Sequence, residues 1–345
     1  MPRIEQRLRT TRRKFLHYMA LAGVAGKSLL RPALAQADSG GAIGQTPWPK
    51  MTYRKLGKTG FQGSRLVFGC GAALSDSPRD ELLDRAFDAG VNVFDVGTRR
   101  YYKNAERNLS PFLKKNRDKI FLISKAAVYI DIEPNQEVTA SQAKQGAKTW
   151  LSLLDQSLSD LNVDHVDAYY MMGANNPSII KSDELYEAFL KAKQAGKTSY
   201  WGLSTHENAQ NVLTAASETR RYALAQIAIT PAGWYSWTDR NILPNSPDMV
   251  NLRPVLDQAR DAQIGLIGMK AGRFLAGRKW LRWGNPDAFD QYYGPKLMSA
   301  KMNSFQRSYA FVLEHGLDAV NADMQSLTHL QQNFSAAATA EQYVA

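Results

Sequence analysis

The residues that could do chemistry are few in kind, and their spacing excludes several reactions at once. Five histidines, His17, His165, His206, His315 and His329, never recur as HxH or HxxxH, so no short motif gathers two of them as metal ligands. No metal centre is expected. Cys70 is alone, which excludes an intramolecular disulfide and a thiolate-held cluster. No GxGxxG follows an early apolar run, so the phosphate-binding fingerprint of an open dinucleotide sheet is missing. Trp234, Tyr235 and Trp237 form an aromatic cluster after an apolar run and read either as a ligand-facing surface or as ordinary loop packing.

The elements that must position such residues follow from periodicity. With 345 residues, 44% of them hydrophobic and 22% charged, the chain can bury a full core, and neither collagen, coiled coil nor wholesale disorder fits. From Tyr53 onward, β-like apolar runs at 66–70, 91–95, 120–125, 166–171, 199–204, 225–230, 265–270 and 319–321 alternate with amphipathic stretches. The apolar spacing of three and four is plain at Trp150, Leu151, Leu154, Leu158 and Leu161, and Gly90 and Gly196 stand where helix C-caps are expected. Eight β-α units in ~280 residues predict a (β/α)8 TIM barrel, whose site gathers at the C-terminal ends of its strands.

The first 35 residues read differently. Thr11-Arg12-Arg13-Lys14-Phe15-Leu16 precedes a modest apolar run and then Ala33-Leu34-Ala35, a small-x-small cleavage pattern. This order resembles a bacterial twin-arginine signal peptide over 1–35, with a Gly- and Pro-containing linker over 36–50 and the barrel over 51–345. The resemblance implies passage through the twin-arginine translocase to the periplasm or another exported location. The apolar run is interrupted by Lys27 and falls short of the ~20 residues of a membrane span, so no stable span is expected after cleavage. The net charge of +11 includes +7 from this leader, leaving +4, and no nucleic-acid partner is expected.

Within the barrel, an ordered set of segments resembles the aldo-keto reductase family. Tyr53-Arg54-Lys55-Leu56-Gly57 through Phe68-Gly69 is similar to its opening β-hairpin and first strand, Val93-Phe94-Asp95 to its second, and Ile123-Ser124-Lys125 to its third. Ser204-Thr205-His206 and Gly268-Met269-Lys270 resemble its fifth and seventh. The resemblance implies a hairpin plugging the barrel floor and hydride transfer between NADP or NAD and a small carbonyl compound.

It also implies site residues. Asp95 and Lys125 would support a tyrosine acid, although a buried structural ion pair is the other reading of the two. A gapless register puts Arg100 where the tyrosine belongs, and Tyr101 takes the role if the loop carries one extra residue. Met172 stands where the family places a carbonyl-binding histidine, and a thioether donates no hydrogen bond. Ser204, Thr205 and Gln226 match positions that hold the nicotinamide carboxamide, Met269 and Lys270 would flank the ring and reach the pyrophosphate, and Gln332 and Asn333 match the adenine side. Asp323 and Gln325 replace a segment that ends in a basic residue, which weakens the expected hold on a phosphate. Two functions are therefore carried forward: an exported oxidoreductase, and a non-catalytic barrel binding an apolar ligand or a protein partner.

Overall fold

A computed structural model describes residues 48–133, 135–276 and 285–343. The leader 1–35 and the first part of the linker, 36–47, lie outside the described residues. The Trp48 ring packs 4.9 Å from that of Phe334. The packed body therefore reaches back into the last residues read as linker.

Eight parallel strands close into a ring: β3 (Leu66–Gly69), β4 (Val93–Asp95), β5 (Phe121–Ala126), β6 (Val166–Met172), β7 (Thr198–Thr205), β8 (Leu224–Thr230), β11 (Gly265–Met269) and β12 (Ala319–Asp323). The β12–β3 pairing, with Val320 opposite Leu66, joins the two ends of the barrel. The eight apolar runs are these eight strands. They were visible because a parallel strand covered by helices is buried on both faces and reads as an unbroken apolar run. Strand β4 starts two residues later than its run, just after Asn92. The Asn92 side chain accepts from the Ser64 N–H at 2.7 Å and donates to the Gln62 carbonyl at 2.9 Å.

Those contacts clamp the N-terminal hairpin, β1 (Tyr53–Lys55) paired antiparallel with β2 (Gln62–Ser64). Leu56 and Phe61 at its tip pack with Val67, Val93, Phe121 and Leu224, closing the barrel floor. The same inner cluster contains Ile123, Ala168, Tyr170, Ile267 and Ala319, so alternate residues on each strand face the axis. Continuing that alternation upward brings Asp95, Lys125, Met172, Ser204, Gln226, Met269, Asn321 and Asp323 to the opposite, C-terminal end.

The outer layer follows from local signals. Thr139 and Gln142 form a reciprocal capping box at the start of Ala140–Leu161, which buries Ala143, Ala147, Trp150, Leu154, Leu158 and Leu161. Ser182 caps Asp183–Gln194. Gly90 and Gly196 follow their helices at φ +106° and +73°, as C-cap glycines do. A second hairpin, β9 (Gly233–Ser236) with β10 (Asn241–Ile242), follows β8 and packs Tyr235 against Ala228 and Met269. Among the described residues no helix is long and apolar enough to cross a membrane.

Candidate active site

The mouth is built around one buried ion pair. Asp95 ends β4 and Lys125 stands one residue short of the end of β5, both 5% exposed in their side chains. The Lys125 Nζ donates to Asp95 Oδ1 and Oδ2 at 2.6 Å each and to the Val96 carbonyl at 2.7 Å. Burial works against the ammonium, but the charge and hydrogen bonds of Asp95 outweigh it and hold the Lys125 pKa above its ordinary value. The lysine is therefore charged, with its donors already committed.

A third group completes the pair. Asn321, on the last strand of the barrel, donates its amide to Asp95 Oδ2 at 2.5 Å. It reaches across β3 because Gly69 has no side chain there. A Cβ at residue 69 would stand 2.6 Å from the Asn321 carbonyl oxygen and 2.8 Å from the Ala322 backbone oxygen. Sequence reading missed Asn321, whose partner lies 226 residues away.

The tyrosine beside this pair is Tyr102, not Tyr101. Residues Arg99–Tyr102 form a single helical turn after β4. Extended chain advances about 3.3 Å per residue and helix about 1.5 Å. The turn therefore folds a later residue back over the strand end. The Tyr102 ring lies between Gly71 and Gly97, where a Cβ would meet it at 2.6 and 3.0 Å respectively, and the Lys125 Nζ is 5.7 Å from the ring centroid. Burial raises the Tyr102 pKa, the Lys125 charge pulls it down, and Asp95 and Asp323 push it up again. Tyr101 faces away from the pair. Its ring stacks on Tyr129 at 6.3 Å, and burial followed by the contact with Tyr129 raises its pKa. Arg100, the gapless candidate, also packs on Tyr129, with its guanidinium 4.1 Å from the ring centroid.

Across the mouth, Met172 is opposite Ser204, and Ser204 opposite Gln226, in consecutive strand pairings. Ser204 Oγ and Gln226 Oε1 are buried without a hydrogen-bond partner among the described residues, and Gln226 Nε2 approaches the Met269 sulfur at 3.7 Å. Unpaired buried polar atoms cost free energy. Two of them aimed into one mouth fit an amide-bearing ligand such as a nicotinamide carboxamide. Thr205 does not join them. One residue on, it faces the other way, and its hydroxyl donates to Asn175 Oδ1 at 2.9 Å and lies 2.6 Å from the Glu207 carbonyl.

Lys270 follows β11 with its Nζ 4.2 Å from the Trp237 ring centroid. Burial and nearby Arg273 lower its pKa to about 8, and Asp323 partly opposes them. Asp323 takes a hydrogen bond from the Gln325 amide at 2.9 Å and lies within electrostatic reach of Lys270. It brings negative charge to the side of the mouth where a phosphate was expected. Gln332 and Asn333 lie farther along Leu327–Thr339, whose His329 senses the Asp323 charge, and no hydrogen bond ties their side chains to the mouth among the described residues. The aromatic cluster divides: Trp234 packs in the outer core, while Tyr235 and Trp237 face the mouth. Among the described residues no group of three or more His, Cys, Asp or Glu could hold a metal ion.

Behind β5, Glu106 is 1% exposed and accepts from the Ser124 hydroxyl at 2.7 Å, while its other oxygen has no partner among the described residues. Burial raises its pKa from 4.5 to about 7. A carboxyl that keeps its proton longer when folded stabilises the fold at low pH. That stabilisation is full below about pH 4.5 and is lost as pH rises through about 7, up to roughly 3 kcal/mol. Glu106→Gln should flatten this decline and raise the melting temperature at pH 8, as read by thermal melts across pH 5 to 8. An unchanged pH slope would contradict the assignment.

The profile of the Aldo/keto reductase family matches residues 60–269. An uncharacterized oxidoreductase of Bacillus subtilis (strain 168), YrpG, is 29% identical over 241 residues, covering 66% of this chain and 69% of its own. Among solved structures, a Pseudomonas aeruginosa protein assigned to the aldo-keto reductases superposes with a TM-score of 0.58 at 20% identity, over 86% of this chain and 98% of that one. The thermostable aldo-keto reductase Tm1743, solved with the inhibitor epalrestat, gives 0.58 at 19% identity over 83% and 94%. The latter two likenesses concern the fold, while the profile spans well over half of the chain and ends on the strand that carries Met269. The chain belongs to the aldo/keto reductase family.

Proposed function

We propose that the protein is an exported oxidoreductase that moves hydride between NADP or NAD and a small carbonyl or hydroxyl compound. The observation that carries this reading is the buried Asp95–Lys125 pair beside Tyr102, in the same mouth as the unpartnered Ser204 and Gln226. Members of the family use NADPH or NADH, and a bound nicotinamide would supply or accept the hydride.

The remaining work falls to the chain. Ser204 and Gln226, with their unpartnered polar atoms, would hold the carboxamide of a bound nicotinamide. Tyr102 gives its hydroxyl proton to the oxygen that becomes an alkoxide, and takes it from the alcohol in reverse. A phenol near pKa 10 is a weak acid at neutral pH, and the Lys125 charge stabilises the phenolate left behind. Asp95, held by Asn321, keeps Lys125 charged and in place. Met172 brings no donor to the carbonyl, so β6 supplies no second hydrogen bond to the substrate oxygen.

Asp323 weakens phosphate binding, and each lost charge-assisted contact removes ~1.5–3 kcal/mol. Titration of NADPH and NADH by fluorescence should therefore give affinities within about tenfold of each other. Strong NADPH preference would show that other residues carry the phosphate. No binding of either nucleotide would overturn the oxidoreductase reading.

The export half of the proposal rests on the Arg12-Arg13 pattern and the Ala33-Leu34-Ala35 site. Replacing both arginines by Lys should retain the precursor in the cytoplasm, and unchanged export would sink it. Cofactor would then travel bound to the folded protein, since an exported compartment offers no dependable free pool.

A further inference from the structure

A carbonyl oxygen that takes on negative charge presents two lone-pair directions, and Tyr102 serves one of them. The groups around the mouth leave few candidates for the other. Lys125 directs its contacts to Asp95 and Val96. The Lys270 ammonium lies over Trp237. Met172 has only a thioether. His206 stands among these groups, and among the described residues its ring nitrogens make no hydrogen bond, while its ring packs beside Trp237.

Its position is set by the end of β7 and by the loop that follows. Ser204 on β7 lies opposite Met172 on β6 and faces the mouth, and His206 directly follows Thr205, the last residue of β7, so it stands at the same C-terminal end of the barrel. The loop carrying it is tied down. The His206 and Glu207 N–H groups donate to Asn175 Oδ1 at 3.1 and 3.3 Å, and the Thr205 hydroxyl donates to the same oxygen. The imidazole meets the Trp237 ring at 6.0 Å and 47°, between β7 and the hairpin that covers the mouth.

We propose that His206 is a catalytic residue of this barrel, donating from the loop after β7 the second hydrogen bond to the substrate oxygen that Met172 cannot supply. The inference rests on the oxidoreductase reading above. Its electrostatic setting suits the role. Burial, followed by the charges of Lys270 and Lys125, lowers the His206 pKa to about 3, so the ring stays a neutral N–H donor at physiological pH. A neutral donor polarises a carbonyl without giving up its proton, leaving proton transfer to Tyr102.

The test uses the mature protein with 4-nitrobenzaldehyde as probe. Single-turnover reduction with NADPH is compared for wild type, His206→Ala, His206→Gln and Tyr102→Phe. His206→Ala should slow the step by ~10²-fold while leaving NADPH affinity unchanged, and His206→Gln, which keeps a neutral N–H donor, should recover part of the loss. Adding Met172→His to His206→Ala should also restore rate. In parallel, the infrared carbonyl stretch of the aldehyde bound with NADP should lie below its free value in wild type and return toward it in His206→Ala. A rate within about threefold of wild type in His206→Ala, with the stretch unmoved, would overturn the proposal. If wild type transfers no hydride, the oxidoreductase reading fails. The carbonyl stretch then still decides whether His206 donates.

Discussion

Tyr102→Phe should abolish nucleotide-dependent carbonyl reduction, whereas Tyr101→Phe should leave it within about threefold. The expected loss is ~10² to 10⁴, the range for removing a positioned general acid. The difference between neighbouring tyrosines follows from one helical turn. Arg99–Tyr102 brings the Tyr102 ring to 5.7 Å from the Lys125 ammonium, while Tyr101 is spent on Tyr129. Phe keeps the ring that fills the space between Gly71 and Gly97, so the fold and nucleotide binding should survive. Stopped-flow reduction with fluorescence titration separates the two effects. Full activity in Tyr102→Phe, or its loss in Tyr101→Phe, would return the proton donor to Tyr101.

Lys125→Met should damage both rate and stability. Removing one partner of a buried pair strands the other charge, at a cost of about 3–5 kcal/mol. For a body of this size that is a fall in melting temperature on the order of 10 °C. Asp95 would retain the Asn321 amide as a donor, which satisfies one oxygen but does not neutralise it. Adding Asp95→Asn should recover much of the stability, because no charge is left buried, and none of the activity, because the tyrosine still lacks its cation. Calorimetry and initial rates on the single and double variants check both halves. Equal activity in the double variant and wild type would mean that the pair is structural alone.

How much of this was legible depended on range. Each barrel strand could be read because its apolar run and its covering helix are local patterns. Asp95, Lys125, Met172, Ser204 and Gln226 could be located because each lies in or next to a run that resembles a strand of the family. Tyr102 could not, since counting along a loop presumes an extended path and the chain there is helical. Thr205 could have been set aside from sequence, because strand alternation sends it away from the side that Ser204 faces. Asn321 offered no local signal at all: its function is its contact with Asp95, and only closure of the ring brings the two together.

That closure has a consequence in time. Every neighbouring pair of barrel strands from β3 to β12 follows in chain order, so those pairings can form as the chain lengthens. The remaining seam, β12 against β3, must wait for the last strand. Arg65, beside β3, is buried there with hydrogen bonds to Glu314 and to the Leu313 carbonyl, and Asn321 reaches across the same seam to Asp95. At ribosomal rates of about 5–20 residues per second, β3 waits on the order of 10 to 50 s for its partner. Through that interval the growing chain holds Asp95 and Lys125 without the amide that steadies them. The mouth is complete only when the last barrel strand meets the first.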